Sequence, residues 1–189
     1  MPRIISGSAG GRRLLVPKHG TRPTSDRVRE SLFSSLDHRL GGWQGLRVLD
    51  LFAGSGALGL EALSRGAAHA TLVDSARDAV RLCRENVGKT GLPADVVSSD
   101  VTRYVTRPGD SRFDVVFADP PYDLPAKVLE SVLINLATNG WLASDATLIL
   151  ERDAADSQIT WPPGFSQVAE RRMGDTMVRF AHWTDLDGN

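Results

Sequence analysis

Cysteine is nearly absent from this sequence, since Cys83 is the only one in 189 residues. A lone cysteine forms no internal disulfide, and no cluster of cysteine and histidine has the spacing of a metal site. Apolar runs are also short: none approaches the roughly 18 residues of a membrane-spanning helix, and residues 1–7 lack the apolar core of a secretory signal. We therefore expect a cytoplasmic, monomeric protein without a metal, with enough chain for one domain.

Net charge is small as well, at −1, which argues against a general binder of polyanions. The charges are nevertheless unevenly distributed along the chain. Residues 1–40 contain eight basic and three acidic side chains, whereas the rest contains 14 basic and 20 acidic ones. A basic N-terminal segment on an acidic body indicates a nucleic-acid partner.

Residues 1–23 are predicted to form a basic N-terminal arm. Within it, residues 3–16 are predicted to form a small β-hairpin that turns at Gly10 and Gly11, because glycine tolerates the positive φ of a tight turn. A two-stranded hairpin is only marginally stable alone, so it must rest on the rest of the protein or on a ligand.

A leading helix is predicted next, with Thr24 as its N-cap and an end near Arg39. Arg29 falls on the apolar side of this helix, which is unusual for a charged residue. Two interpretations are open: its stem packs while the guanidinium reaches solvent, or the cation is turned into a cleft.

Residues 24–189, with the leading helix at 24–40, are predicted to form one α/β domain. Continuous apolar strands alternate with helices, which is typical of a doubly wound parallel sheet covered on both faces. The last two stretches alternate in hydrophobicity around Gly174-Asp175 and predict a terminal antiparallel hairpin. The predicted strands are 46–52, 70–74, 96–97, 113–118, 146–151, 165–174 and 176–183.

A glycine-rich loop, Gly54-x-Gly56-x-x-Gly59, follows the first strand and matches the dinucleotide-binding fingerprint, with Asp74 near the position of a ribose-binding acid. Asp50 argues against a dinucleotide, because it ends the strand where a pyrophosphate would lie and would repel its charges. A carboxylate there suits a cation, such as the ammonium and sulfonium of S-adenosylmethionine.

Three acids, Asp50, Asp74 and Asp100, stand at the ends of three successive predicted strands, along the edge where such sheets bind ligands. They suit the methionyl end, the ribose hydroxyls and the adenine amine of S-adenosylmethionine, respectively. The alternative is that each acid caps a helix or loop.

Asp119-Pro120-Pro121-Tyr122 follows the fourth strand. Neither proline has a backbone N–H to donate to a sheet, so the strand ends here. The Asp119 carboxylate and the Pro120 carbonyl are predicted to accept the two hydrogens of a planar amino group whose ring stacks on Tyr122. The alternative is a turn in which the tyrosine packs on the prolines.

These motifs resemble those of class I methyltransferases, Rossmann-like enzymes that use S-adenosylmethionine. Residues 50–56 resemble motif I, and residues 119–122 resemble the (Asp/Asn)-Pro-Pro-aromatic motif of enzymes that methylate amino nitrogens. Together with residues 3–14 and 21–33, they resemble the RsmD family, bacterial enzymes that methylate N2 of one guanine, guanine 966, in 16S ribosomal RNA. The resemblance covers nearly the whole chain.

The resemblance implies methyl transfer from S-adenosylmethionine to a guanine amine, with the small ribosomal subunit or an assembly intermediate as substrate and S-adenosylhomocysteine as product. Independently of the resemblance, the charge distribution predicts that deleting residues 1–20 weakens RNA binding and spares cofactor binding. The implied catalytic residues are Asp119, Pro120, Pro121 and Tyr122. The implied cofactor contacts are Asp50, Phe52, Ala53, Gly54, Ser55, Gly56, Asp74, Ser75, Asp100 and Val101. The implied RNA contacts are Arg3, Arg12, Arg13, Lys18, Arg22, Arg27 and Arg29.

Other functions share parts of this pattern. A DNA adenine-N6 methyltransferase could use the same tetrapeptide, but the chain has no length left for a region that reads DNA sequence. A noncatalytic RNA-binding module could retain the cofactor fold, although the intact acceptor tetrapeptide argues against it. A protein or small-molecule N-methyltransferase would have no use for the basic arm.

Overall fold

The computed structural model describes residues 2–17, 26–155 and 159–185. These residues form a seven-stranded sheet in the order β3-β2-β1-β4-β5-β7-β6, parallel from β3 to β5 and antiparallel at β7 and β6. The strands are β1 (Arg47–Leu51), β2 (His69–Asp74), β3 (Ala94–Ser98), β4 (Phe113–Ala118), β5 (Leu142–Asp153), β6 (Phe165–Met173) and β7 (Thr176–Trp183). The helices are α1 (Asp26–Leu40), α2 (Ala57–Ser64), α3 (Arg77–Thr90), α4 (Val101–Val105) and α5 (Ala126–Thr138).

Both faces of the sheet are covered, which confirms the predicted fold class. One core cluster joins α1, α2 and α3 to the sheet, and Cys83 lies in it as a buried residue. A second cluster joins α4 and α5 to the opposite face. The terminal hairpin is confirmed as well, since β6 and β7 pair across Gly174-Asp175.

Several element boundaries differ from the sequence-based prediction. β4 has the predicted bounds, whereas β5 begins at Leu142 rather than at residue 146. The short helix α4 was not predicted; Asp100 begins it by accepting a hydrogen bond from the Arg103 N–H. In the part of the chain that the structure describes, no side chain caps α3, and just before it Asp74 accepts a hydrogen bond from the Ala76 N–H at 2.9 Å. The predicted cap Thr24 lies outside the described residues.

The N-terminal arm is packed into the domain. Ile4, Ala9 and Leu14 are almost fully buried and belong to the core cluster that contains α1 and α2. The predicted hairpin forms one antiparallel bridge, between Arg3 and Arg13, and the backbone hydrogen bonds around it include Ile4 N–H to the Arg12 carbonyl and Leu14 N–H to the Pro2 carbonyl, both at 2.9 Å. The arm also hydrogen-bonds to the body: the Ile5 and Ser6 N–H groups donate to the Glu61 carboxylate at 2.7 and 3.1 Å.

A second connection ties the arm to the glycine-rich loop. The Leu15 N–H donates to the Asn86 side-chain oxygen, and the Asn86 amide donates to the carbonyls of Leu15 and Ser55, both at 2.9 Å. These contacts argue against the prediction that residues 1–20 could be deleted without affecting cofactor binding, because deletion would expose the core and remove the support of Asn86 beside Ser55. The boundary between residues 1–23 and 24–189 stays a prediction.

None of the helices in the described ranges is long and apolar enough to cross a membrane.

Candidate active site

The register of the central strands brings the two sequence motifs to one edge of the sheet. Leu51 of β1 is paired with Ala118 of β4, and Ala118 is paired with Leu150 of β5. The residues that follow these three, Phe52, Asp119 and Glu151, therefore stand side by side where the parallel strands end. Neighbouring strands lie about 4.8 Å apart, so groups on these residues belong to one cleft.

The glycine-rich loop is shaped by backbone conformations that few residues adopt. Phe52 and Gly56 have positive φ angles of 61° and 78°. A Cβ atom on Gly59 would lie 2.3 Å from Leu72 Cδ2, so glycine is required for α2 to approach the sheet. Because the loop is fixed in this way, its backbone can lie close to a ligand above the end of β1.

Two of the predicted cofactor acids, Asp74 and Asp100, follow or end neighbouring strands at the same edge of the sheet. Asp74 accepts hydrogen bonds from the Gly54 and Ala76 N–H groups at 2.9 Å, which joins the end of β2 to the glycine-rich loop. A carboxylate has about four acceptor positions, so Asp74 can still accept ligand hydroxyls. Asp100 lines an open cavity of about 510 Å³ beyond β2 and β3; the other lining residues are Ser75, Val97, Ser98, Ser99, Arg103 and Arg107.

Asp50 lies differently from the prediction. It is only 1% exposed, and its Oδ2 accepts the Gly59 N–H at 2.9 Å. Burial, with smaller contributions from the charges of Asp119 and Asp74, raises the pKa of Asp50 to about 8, although the Gly59 hydrogen bond opposes this shift. Asp50 thus holds the start of α2 beneath the loop, as in the alternative capping interpretation, instead of lining an open site. Val101 has its side chain buried in the second core cluster, which leaves only its backbone for a ligand.

The acceptor groups of the Asp119–Tyr122 motif face the cleft. Asp119 is exposed on the cleft side, while the protein around its other sides removes water from the carboxyl and raises its pKa to about 6. Within the described part of the chain, no donor hydrogen-bonds to the Pro120 carbonyl. Tyr122 is 47% exposed, with its hydroxyl 3.5 Å from Thr176 Oγ1. The motif therefore offers two acceptors and one accessible aromatic ring.

Arg152, which no sequence pattern indicated, holds this motif in place. The Arg152 guanidinium is buried and donates to the carbonyls of Pro121 and Leu124 at 3.4 and 3.2 Å. It fixes the loop that carries Tyr122. No local pattern could have indicated this, because the contact joins residues about thirty positions apart.

Glu151 is a second residue that the sequence did not reveal. It ends the apolar run of β5, is 5% exposed and lies beside Asp119. Burial, together with the charges of Asp119 and Asp50, raises its pKa to about 8. Despite this acidic neighbourhood, no group of three or more His, Cys, Asp or Glu residues in the described ranges is arranged to hold a metal ion.

The predicted RNA contacts divide into two groups. Arg13 and Arg27 are exposed, and Arg3 is exposed beside Asp26 at 3.6 Å. Arg12 donates to the Lys89 and Thr90 carbonyls at the end of α3. Lys18 and Arg22 lie outside the described residues.

Arg29 requires a correction, since it is 2% exposed. Its guanidinium donates to the Arg3 carbonyl and to Asp26 and therefore holds the arm. Desolvation lowers its pKa, against the attraction of Glu61 and Asp26. It faces neither solvent nor an open cleft, so a phosphate cannot reach it.

Comparison with known proteins shows close relatives. Residues 2–182 match the family described as Conserved hypothetical protein 95. The ribosomal RNA small subunit methyltransferase D of Escherichia coli is 41% identical over 94% of this chain and 87% of its own. That of Haemophilus influenzae is 32% identical over 94% and 91%. The solved structure of Escherichia coli yhhF, provisionally assigned as a methyltransferase, has a TM-score of 0.85 and 37% identity, covering 97% of this chain and 98% of its own.

Proposed function

We propose that this chain, which belongs to the family described as Conserved hypothetical protein 95 (the RsmD family), is an S-adenosylmethionine-dependent methyltransferase that modifies the N2 amine of a guanine in 16S ribosomal RNA. The observation that carries the proposal is the pair of acceptors, Asp119 and the Pro120 carbonyl, at a cleft next to the glycine-rich loop. The particular guanine is taken from the family resemblance.

The chain's own residues fit an amino group and a cationic methyl donor. Asp119 and the Pro120 carbonyl would each accept one hydrogen of the amine, which favours a pyramidal nitrogen with its lone pair directed at the donor. Asp74 and Asp100 would bind hydroxyls and an amine of the donor. S-adenosylmethionine, when bound, supplies an electrophilic methyl group. Positioning is then the main source of catalysis, and Asp119 can receive the proton that the methylated nitrogen loses.

Ribosomal RNA is the proposed partner, as the relatives' names indicate for those proteins. A target base must leave its stack to enter the cleft, which costs least in a loop, and Tyr122 would then stack on it. Arg3, Arg13 and Arg27 would contact phosphates. We propose that the protein acts as a monomer in the cytoplasm, on the small subunit or an assembly intermediate.

The decisive experiment measures transfer of labelled methyl groups into small ribosomal subunits from a strain that lacks this protein. Digestion of the RNA should release N2-methylguanosine, and mapping should place it at one nucleotide. Labelled N6-methyladenosine, or labelled protein with unlabelled RNA, would contradict the proposal.

The role of Asp119 is tested separately with Asp119→Ala. Because Asp119 is proposed to bind the amine, transfer should fall by at least about a hundredfold, in the range for loss of a positioned acid–base group. Cofactor affinity measured by calorimetry should change by less than about threefold. A large loss of cofactor affinity would place Asp119 in the wrong site.

A further inference from the structure

Glu151 occupies the substrate side of the acceptor motif. In the sheet, β4 lies between β1, which leads into the glycine-rich loop, and β5, which carries Glu151 two residues before its end. Asp119 is therefore flanked by the proposed cofactor site on one side and by Glu151 on the other. The alternation of side chains along each strand places Asp119 and Glu151 on the same face of the sheet, with Phe117 and Ile149 before them.

The Glu151 carboxyl has no partner in the part of the chain that the structure describes. It forms no hydrogen bond or ion pair there, although 95% of the residue is buried. Its oxygens are nevertheless not among the fully enclosed polar atoms without a partner. They therefore keep some exposure to solvent, and the charge of Asp119 is near enough to raise the pKa of Glu151. Burial of an unpaired carboxyl costs free energy, and a donor from a ligand would recover it.

The proposed substrate carries such a donor next to its amine. On the pairing edge of guanine, the N2 amine is adjacent to the N1–H donor, whereas the N6 amine of adenine is adjacent to the N1 acceptor. An ionised second carboxylate beside Asp119 is complementary to the first edge and repels the second, whereas a protonated one could donate its O–H to the second.

We propose that Glu151 accepts the N1–H of the target guanine and thereby selects guanine over bases whose N1 is an acceptor. This inference rests on the proposed function. The proposal also gives a role to the raised pKa of Glu151. Without a bound base, Glu151 holds a proton at neutral pH, because burial and the charges of Asp119 and Asp50 disfavour its ionisation. That proton passes to solvent when the N1–H hydrogen bond forms.

The test replaces the target guanine of the small-subunit RNA by 2-aminopurine, which keeps the 2-amine but has an acceptor at N1. Above pH 8, where Glu151 is ionised, wild-type protein should prefer guanine by at least about tenfold in kcat/KM. In Glu151→Gln the side-chain amide can donate to N1 or accept from it, so the preference should fall to within about threefold. Glu85→Gln, on the exposed side of α3, is the control and should keep the wild-type preference.

Two outcomes separate the claims. If wild-type protein methylates guanine and Glu151→Gln prefers guanine as strongly, the role of Glu151 is refuted while the proposed function stands. If wild-type protein methylates N2 of neither base, the proposed function itself fails.

A measurement on the wild-type protein alone tests the proposal even if Glu151→Gln does not fold. Because only guanine needs the ionised carboxylate, its kcat/KM should rise with pH toward 8 more steeply than that of 2-aminopurine. Parallel profiles for the two bases would refute the proposal.

Discussion

Replacing Glu61 by glutamine tests how the N-terminal arm is held. Glu61 is fully buried in α2, and its two oxygens accept the N–H groups of Ile5 and Ser6 and the Nε–H of Arg65. Glutamine has nearly the same shape but offers one carbonyl oxygen and one NH2 group. One of the two arm N–H groups must then face a donor.

The expected loss follows from these contacts. A hydrogen bond to a charged group contributes about 1.5–3 kcal/mol and a neutral one about 0.5–1.5 kcal/mol. In Glu61→Gln one charge-assisted bond is lost and another becomes neutral, while Arg65 keeps Asp37 as a partner at 2.8 Å. We expect the free energy of unfolding to fall by about 2–4 kcal/mol. Removing one partner of a buried ion pair typically costs about 3–5 kcal/mol, and the expected loss is somewhat smaller here because Arg65 keeps a second partner.

Urea unfolding measures the global effect, and trypsin cleavage after Arg12 or Arg13 reports the local one. Glu61→Gln should be cleaved faster under native conditions, because the arm backbone is released. Glu85→Gln is the control: its pair with Arg81 is exposed to solvent, so the urea midpoint and the cleavage rate should stay close to those of the wild type. A Glu61→Gln protein with wild-type stability and cleavage would refute the view that Glu61 anchors the arm.

Two further predictions concern the cleft and the loop. kcat/KM should increase with pH in two steps, near pH 6 and near pH 8. The reason is that Asp119 and Glu151 act as acceptors in their ionised form, and their raised pKa values move ionisation to these pH values. A kcat/KM profile that is flat from pH 6 to 9 would contradict this prediction. Gly59→Ala should lower the free energy of unfolding by about 1–3 kcal/mol, because the added methyl group would overlap the buried Leu72 side chain. Gly88→Ala is the control, because a Cβ atom at this position of α3 would meet no other atom; it should raise the free energy of unfolding by about 0.5–1 kcal/mol. Equal denaturation midpoints for the two variants would show that the overlap at residue 59 is relieved without cost.

Local patterns in the sequence were sufficient for most of the fold. β4 was predicted with its observed bounds, because a continuous apolar run stops at two prolines. The terminal hairpin followed from alternation around Gly174-Asp175. Helix α4 was missed because only five residues form it, and its cap, Asp100, had been assigned to the cofactor instead.

The site was predicted only where its residues are adjacent in the chain. The motif at 119–122 and the glycine-rich loop each contain their own signal. Glu151 contains none, since an acid at the end of an apolar strand becomes part of the cleft only through the register of β5 with β4. Arg152 is likewise placed by a contact about thirty residues away. Neither position could be found without the sheet order.

Fewer basic residues are available to contact RNA than the sequence alone predicts. Seven basic residues were predicted to contact RNA, which at roughly 0.7 per phosphate would give a log–log salt slope of about 5. Of the five that the structure describes, Arg12 and Arg29 are engaged within the protein. The three exposed ones without such hydrogen bonds, Arg3, Arg13 and Arg27, account for a slope of only about 2. The basic residues of this region therefore serve two purposes: Arg12 joins the arm to α3 and Arg29 joins it to α1, while the others are available to attract a polyanion.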